Sequence, residues 1–304
     1  MNEYLPQKPF DLYELHLICL VASSGNFTRA ASEAGLTQSA VTRQIQGVEE
    51  RLGIRLFERT TRRVLLTEAG RLLIAESRRI TGDVDTLIHR LREEFGGAPR
   101  EVRIGLSRSI GLSYYPGFLF ANRTKHPHLA TRIWQDASST LLQHLEEGKL
   151  DVAIVSRPAR FAPFCRVVHR FQDEFVLITP ASEPEPAGSH HKPAKLRPWA
   201  ERQTWILIHE ETSTGTQLRR WMAKHQLTVS ATMQADNFDL IINLVSLGYG
   251  TSFVPHRALA LYTQKKRFRR IQLQERFSRE LVVLVRKHPP TPKHIVDFVE
   301  NILF

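Results

Sequence analysis

Apolar residues recur at three- and four-residue steps through the first fifty positions of the chain. Leu12, Leu15, Ile18, Cys19, Val21 and Ala22 share one face of a helix that ends near residues 23–25. Asn26 then suits the N-cap of a second helix carrying Thr28, Arg29, Ala30, Ala31 and Ala34. Gly35 supplies a turn, and Thr37 can cap a third helix running from Gln38 to about Leu52. Small alanines where two short helices meet, joined by a glycine-containing turn, predict a helix-turn-helix. Val41, Ile45 and Val48 point the third helix's apolar face inward. Gly53 stops that helix, and Ile54, Leu56 and Phe57 are expected to return to the core. Leu56-Phe57 and Val64-Leu65-Leu66 then flank the basic turn Arg59-Thr60-Thr61-Arg62-Arg63, a pattern that predicts a β-wing.

From Thr67 and Glu68 the pattern is helical as far as about Phe95. Ile80, Val84, Leu87, Leu91 and Phe95 form one apolar stripe, which needs a partner. Gly96-Gly97-Ala98-Pro99 ends this segment as a hinge. Beyond it, short apolar runs alternate with helical stretches. Strands are expected at residues 102–106, 130–134, 151–155, 175–178, 205–208, 251–254 and 281–285. Helices are expected at residues 110–125, 138–147, 217–224, 237–247 and 294–303. This alternation predicts α/β architecture in two lobes, the chain crossing near Ile178 and returning near Arg279. Residues 181–198, rich in Pro, Ser and His and without apolar periodicity, are expected to be a mobile surface loop.

Composition narrows the possibilities without naming a partner. Hydrophobic content of 42% and charged content of 24% suit a globular protein of 304 residues with two or three domains. No apolar run approaches the roughly 20 residues of a membrane span. The first eleven residues carry Pro6 and Pro9 and no apolar signal core, so a cytoplasmic protein is expected. Cys19 and Cys165 are too few for a disulfide framework or a zinc site, and His190-His191 lacks companion ligands, so no cofactor or metal is expected. The net charge of +11 is unevenly spread. Residues 1–66 hold eight basic and seven acidic residues, residues 67–100 six of each, and the rest 28 basic and 18 acidic. The excess therefore lies in the C-terminal two-thirds, which suits an anionic ligand or a solvated surface of no specific meaning.

Two sets of residues carry candidate chemistry. Gln38, Ser39, Thr42 and Arg43 fall on the outer face of the third helix at its N-terminal end, the part of a reading helix that enters a major groove. Arginine can pair with guanine, glutamine with adenine, and hydroxyls with bases or phosphates. Thr28 and Arg29 at the head of the second helix, with Arg59, Arg62 and Arg63 of the wing, complete the candidate DNA contacts. In the C-terminal part, hydroxyls gather where strands give way to helices. Ser107 and Ser109 follow the first strand, Ser138 and Ser139 open a helix, and Thr212 and Thr214 precede another. Each alone suits a helix cap; together they suit a polar ligand held between two lobes.

The segments Gly25-Asn-Phe-Thr-Arg-Ala-Ala, Leu36-Thr-Gln-Ser-Ala-Val-Thr-Arg-Gln-Ile, Val48-Glu-Glu-Arg-Leu-Gly, Leu56-Phe-Glu-Arg and Leu66-Thr-Glu-Ala-Gly resemble the DNA-binding domain of LysR-type regulators over residues 12–70 without gaps. Ser39 stands where the family often has proline, and Thr42 where it often has serine. Ile104-Gly105, His126-Pro127, Gly148-Lys-Leu-Asp-Val-Ala-Ile and Leu247-Gly-Tyr-Gly are similar to the family's effector domain. The resemblance implies an N-terminal all-α winged helix-turn-helix over 1–66, a linker and dimerisation helix with hinge over 67–99, and a two-lobed α/β periplasmic-binding-protein-like effector domain over 100–304. Lobe I would take about 100–177 and 280–304, and lobe II about 178–279. It further implies that the outward residues of the third helix and Arg62 of the wing contact operator DNA, and that Ser107, Ser109, Ser139 and Thr214 contact an effector. The implied partners are double-stranded promoter DNA, a small-molecule effector, and further copies of the chain in a homodimer or, preferentially, a homotetramer. RNA polymerase joins them for an activator, and no membrane is involved.

Two other classes compete. An enzyme would be expected to show a nucleophile elbow, a phosphate-binding loop, a dinucleotide fingerprint or a zinc-protease helix, and none occurs; Gly248-Tyr-Gly250 is an isolated fragment. A solute-binding protein would suit the C-terminal pattern but not the DNA-reading pattern attached to it.

Overall fold

The computed structural model describes residues 8–59, 64–110, 123–188, 191–227, 229–262 and 267–300, together with residue 302. The helix expected over residues 110–125 lies mostly outside the described residues. The chain divides into two compact units, Met1–Gly96 with Glu146–Gly148, and Gly97–Leu145 with Lys149–Phe304. No helix among the described residues is long and apolar enough to cross a membrane.

The N-terminal unit opens with α1 (Leu12–Ser24), α2 (Phe27–Ala34) and α3 (Gln38–Leu52). Side chains just ahead of each helix satisfy its first N–H groups. Asp11 and Glu14 form a reciprocal capping box on α1, Asn26 caps α2, and Thr37 caps α3. Gly35 ends α2 at a φ of 67°, a left-handed conformation that a β-carbon would disfavour. Ala30 and Ala31 are buried beside Leu17, Ile18, Val21, Val41, Ile45 and Val48, so a narrow α2 seats closely on its neighbours.

The antiparallel strands β1 (Phe57–Arg59) and β2 (Val64–Leu66) pair with Phe57 opposite Leu66. The carboxylate of Glu49 on α3 accepts from the backbone N–H of Leu56 at 2.7 Å and of Phe57 at 3.1 Å, fastening this hairpin to the third helix. Leu56 and Phe57 are buried as expected, but Ile54 is 49% exposed. Its N–H bonds back to Glu49 O in the turn that Gly53 makes, which leaves its side chain outside the core.

The long helix α4 (Glu68–Phe95) starts on the Thr67 cap. Gly70 lies where a β-carbon would sit 2.1 Å from the carbonyl oxygen of Leu56, so only glycine lets α4 pack there. Ile80, Leu87, Ile88, Leu91 and Phe95 are exposed along the helix, with Phe95 at 80%. An apolar stripe of this length is left unburied by the described residues.

The C-terminal unit is built on strands β3 (Glu101–Ser107), β4 (Ala130–Asp136), β5 (Val152–Ser156), β6 (Cys165–Pro180), β7 (Trp205–Ile208), β8 (Ala231–Ala235), β9 (Ser252–Pro255), β10 (Phe268–Ile271) and β11 (Ser278–Arg286). The main sheet runs β10-β6-β11-β5-β3-β4, with β9 also on β6. Pairs of β3 with β4 and β5 are parallel, and those of β11 with β5 and β6 antiparallel. Leu281, Val283 and Val285 join a core closed by the last helix, Lys293–Glu300, while Val282 and Leu284 join another that includes Leu141 and Leu145 of the helix Ser138–Glu146. Both faces of this sheet are thus covered, and the strand reads as a continuous apolar run. A third core around Trp205, Phe175, Phe238 and Phe253 fills the second lobe.

The long strand β6 was expected only from residue 175. Its first part, Cys165-Arg-Val-Val-His-Arg-Phe-Gln-Asp-Glu, pairs with β11, and its last part pairs with β9 and β10. The change of partner falls between Glu174 and Phe175, somewhat ahead of Ile178, and Phe175 N donates to Phe277 O at 2.8 Å beside it. Polar residues on its partly exposed face hide the first half from an apolar count. The short strands β8 and β10 were also unexpected, for the same reason.

Within the segment 181–198, residues 181–188 form neither helix nor strand and are mostly exposed, and regular structure begins only at its C-terminal end. Residues Pro193–Leu196 form a 3-10 turn and Arg197–Ala200 a helical turn. Leu196, Trp199 and Ala200 are buried, and the Trp199 indole donates to Pro184 O at 2.9 Å. His191 bridges to the backbone beside Leu273; His190 lies outside the described residues.

Candidate functional site

On the helix-turn-helix, the side chain of Asn26 accepts from Thr28 N at 2.8 Å and Arg29 N at 3.2 Å. Thr28 and Arg29 thereby stand exposed at the head of α2, Arg29 paired with Glu33 one turn on. On α3 the Thr37 hydroxyl caps Ala40 N at 3.2 Å, with the Ser39 hydroxyl 3.1 Å away. Gln38, Ser39 and Arg43 are exposed, and Arg43 forms no ion pair with the described residues. Thr42 differs from the expectation of an outward hydroxyl. It is half-buried next to the buried Val41, and its oxygen lies inside without a hydrogen-bond partner among the described residues. Arg59 ends β1 opposite Val64, while Arg62 and Arg63 lie outside the described residues.

In the C-terminal unit a cavity of about 820 Å³ opens between the lobes, and all six expected hydroxyl residues line it: Ser107, Ser109, Ser138, Ser139, Thr212 and Thr214. Their hydroxyls are not equally available. Thr212 caps the helix Ser213–Lys224, accepting from Gly215 N at 2.9 Å and donating to His209 O at 2.7 Å, so its chemistry is spent on the fold. Thr214 is 1% exposed and lies 3.1 Å from the Ser156 hydroxyl. Ser107 is buried at the end of β3, 3.5 Å from Ser109. Ser138 and Ser139 open their helix at the more exposed side of the cavity.

Beneath these hydroxyls lies Arg279, a residue not anticipated as part of the site. Its Nε donates to Asp173 at 2.9 Å, its Nη1 to Ser109 Oγ and Thr214 Oγ1 at 2.8 Å each, and its Nη2 to Ser109 O at 2.9 Å. Phe175 and Phe238 stand 5.3 and 5.5 Å from the guanidinium carbon. Arg279 and Asp173 are direct cross-strand partners on β11 and β6 at the lobe crossing. Alternation held the signal for both. Arg279 has the parity of buried Leu281 and Val283, and Asp173 that of buried Phe175 and Leu177, so two charges occupy inward positions. At the mouth, Arg108 donates to Asp136 at 3.1 Å and to Asp236 at 2.8 Å, joining a carboxylate of each lobe, and this raises its already high pKa. His209, Glu211 and Gln234 complete the polar lining. Among the described residues no group of three or more His, Cys, Asp or Glu is arranged to hold a metal ion.

Residues 12–71 match the family described as bacterial regulatory helix-turn-helix protein, lysR family, and residues 95–303 match the LysR substrate binding domain. A probable RuBisCO transcriptional regulator of Cyanophora paradoxa is 26% identical over 257 residues, covering 83% of this chain and 78% of that protein. A probable hydrogen peroxide-inducible genes activator of Streptomyces viridosporus is 28% identical over 259 residues, covering 84% and 80%. Among solved structures, a full-length OxyR variant from Pseudomonas aeruginosa superposes with a TM-score of 0.67 at 20% identity, covering 96% of this chain and 94% of that one. Full-length CbnR complexed with its target DNA gives 0.64 at 20% identity, covering 96% and 99%. At such identities the superpositions establish the fold, a helix-turn-helix unit followed by a two-lobed substrate-binding domain. The two family matches together span nearly the whole chain, and the chain belongs to the LysR family of DNA-binding transcriptional regulators with an effector-binding domain.

Proposed function

We propose that α3 reads base edges in the major groove through Gln38, Ser39 and Arg43, with Thr42 contributing only after a rotamer change. Thr28, Arg29 and the wing residues Arg59, Arg62 and Arg63 would hold the flanking phosphates. The observation carrying this reading is the combination of exposure and idleness at the head of α3. Gln38 and Arg43 contribute nothing visible to the core, yet the Thr37 cap fixes the start of the helix that carries them. The exposed stripe from Ile80 to Phe95 supports pairing of α4 with a second copy of the chain, and pairs of dimers would form the tetramer.

The effector would occupy the interlobe cavity over Ser107, Ser109, Ser138 and Ser139, with Thr214 acting through Arg279 and Thr212 as a positioning cap. Binding there would change the lobes' relative setting and so the spacing of paired DNA-reading units, by no more than its differential affinity for the two arrangements. The chain would act by binding and not by catalysis. Among the described residues no cavity hydroxyl is hydrogen-bonded to a histidine ring or carboxylate that could activate it. Thiol chemistry in the cavity does not fit either. The only two cysteines are Cys19 and Cys165, neither lines it, and burial pushes both thiols up.

Selection of genomic fragments by the purified full chain, with Arg43→Ala alongside across a salt series, tests the DNA half. The variant should lose about 1–3 kcal/mol on the selected site and relax preference at one base position. Enrichment of no sequence by the wild type, with or without added metabolites, would overturn it.

A further inference from the structure

The charge of the cavity does not follow the charge of the chain. Against a net +11 overall, its ionisable lining among the described residues consists of the carboxylates of Asp136, Glu211 and Asp236, the guanidinium of Arg108, and the imidazole of His209. Residues 111–122, outside the described residues, contain no Lys, Arg, His, Asp or Glu. Arg279 adds nothing to this balance for a ligand, because it is 1% exposed and already engaged by Asp173, Ser109 and Thr214.

The geometry at the mouth shows what these carboxylates hold. Arg108 places one cation between Asp136 at the end of β4 and Asp236 just after β8, at 3.1 and 2.8 Å. Of the two carboxylates, Asp136 is the one the fold itself holds. Asp136 stands in register with Ser107 across the parallel pair and accepts from Ala137 N at 2.6 Å. The guanidinium is the replaceable part. Its side chain is 51% exposed, and ion pairs open to water are weak and readily exchanged. Two residues beyond Asp136, Ser138 and Ser139 begin a nine-residue helix whose first N–H groups have no partner within the helix and favour a carboxylate.

Resting on the effector reading of this cavity, we infer that the effector is a small zwitterion of the amino-acid class. Its ammonium takes the place of Arg108 between Asp136 and Asp236, and its carboxylate meets the hydroxyls and N–H groups at Ser138 and Ser139. The lobes are then bridged by the ligand where they were bridged by the protein. An anionic group remains part of the ligand, but it is not sufficient.

Isothermal titration of the full-length protein with the twenty common L-amino acids tests this, followed for each binder by its decarboxylated amine and its α-deaminated acid. At least one amino acid should bind, and loss of either group should weaken it tenfold or more. Asp236→Asn should weaken the amino acid at least tenfold and leave the deaminated acid unchanged. Arg108→Gln should tighten the amino acid severalfold, since a competing cation is gone. Circular dichroism and binding to the selected DNA site serve as folding controls for both variants. Failure of every amino acid to bind, equal binding of the deaminated acid, or weaker binding by Arg108→Gln would overturn the inference. If acids lacking an amine bind and Ser139→Ala abolishes their effect on the DNA footprint, the effector cavity stands and the zwitterion falls. If cell metabolites alter the footprint equally in wild type, Ser139→Ala and Asp236→Asn, the effector reading of the cavity falls with it.

Discussion

The head of α3 and the floor of the interlobe cavity use polar side chains in opposite ways. At α3 Gln38 and Arg43 are exposed, and neither side chain forms a hydrogen bond among the described residues. At the cavity floor the polar groups satisfy one another. Arg279, Asp173, Ser109 and Thr214 form a buried network that belongs to the core as much as to any ligand. On the proposed roles, function and stability are therefore separable in the first region and entangled in the second.

This contrast can be broken by measurement. Asp173→Ala leaves a guanidinium buried without its counter-ion, and should destabilise the C-terminal unit by about 3–5 kcal/mol in urea unfolding followed by tryptophan fluorescence. A loss below about 1 kcal/mol would mean that the network is not a closed, water-free one. Asn26→Ala removes the cap that sets the start of α2 and should cost about 1 kcal/mol in the N-terminal transition. Arg43→Ala should leave unfolding within about 0.5 kcal/mol of wild type despite its effect on DNA binding; a larger shift would mean that α3 is not idle at its head. Replacing Cys19 and Cys165 together by serine should leave any response of the DNA footprint to hydrogen peroxide unchanged, since neither thiol lines the cavity.

What could be read in advance follows the range of the forces involved. Asn26 and Thr37 were legible as caps because a cap acts within three residues. Val41, Ile45 and Val48 were legible because helical spacing alone gathers them on one face. Ile54 was not, since apolar character cannot say that the turn at Gly53 carries it outwards. The serines and threonines of the cavity were found from strand-to-helix junctions, but their availability was not. Whether Thr212 caps a helix or Thr214 bonds Arg279 depends on groups brought together only by the fold. Arg279 and Asp173 lie 106 positions apart, and alternation could reveal that each faces inward but not that they face each other. The cavity's acidic lining was masked for a similar reason, because a whole-chain charge averages over surfaces that never meet.

The 16-residue strand β6 has a consequence for how this chain can change over generations. Its two parts serve as a common ruler, one laid against β11 and the other against β9 and β10. Deleting or inserting one residue near Glu174 would invert the inside and outside of one lobe relative to the other. Asp173 would then no longer stand opposite Arg279 while Phe175 faced its own core. A change of length is thereby costly at the crossing and easier in connections such as residues 181–188, so that new ligand preferences at the crossing are reached most readily by exchange of side chains on an unaltered backbone.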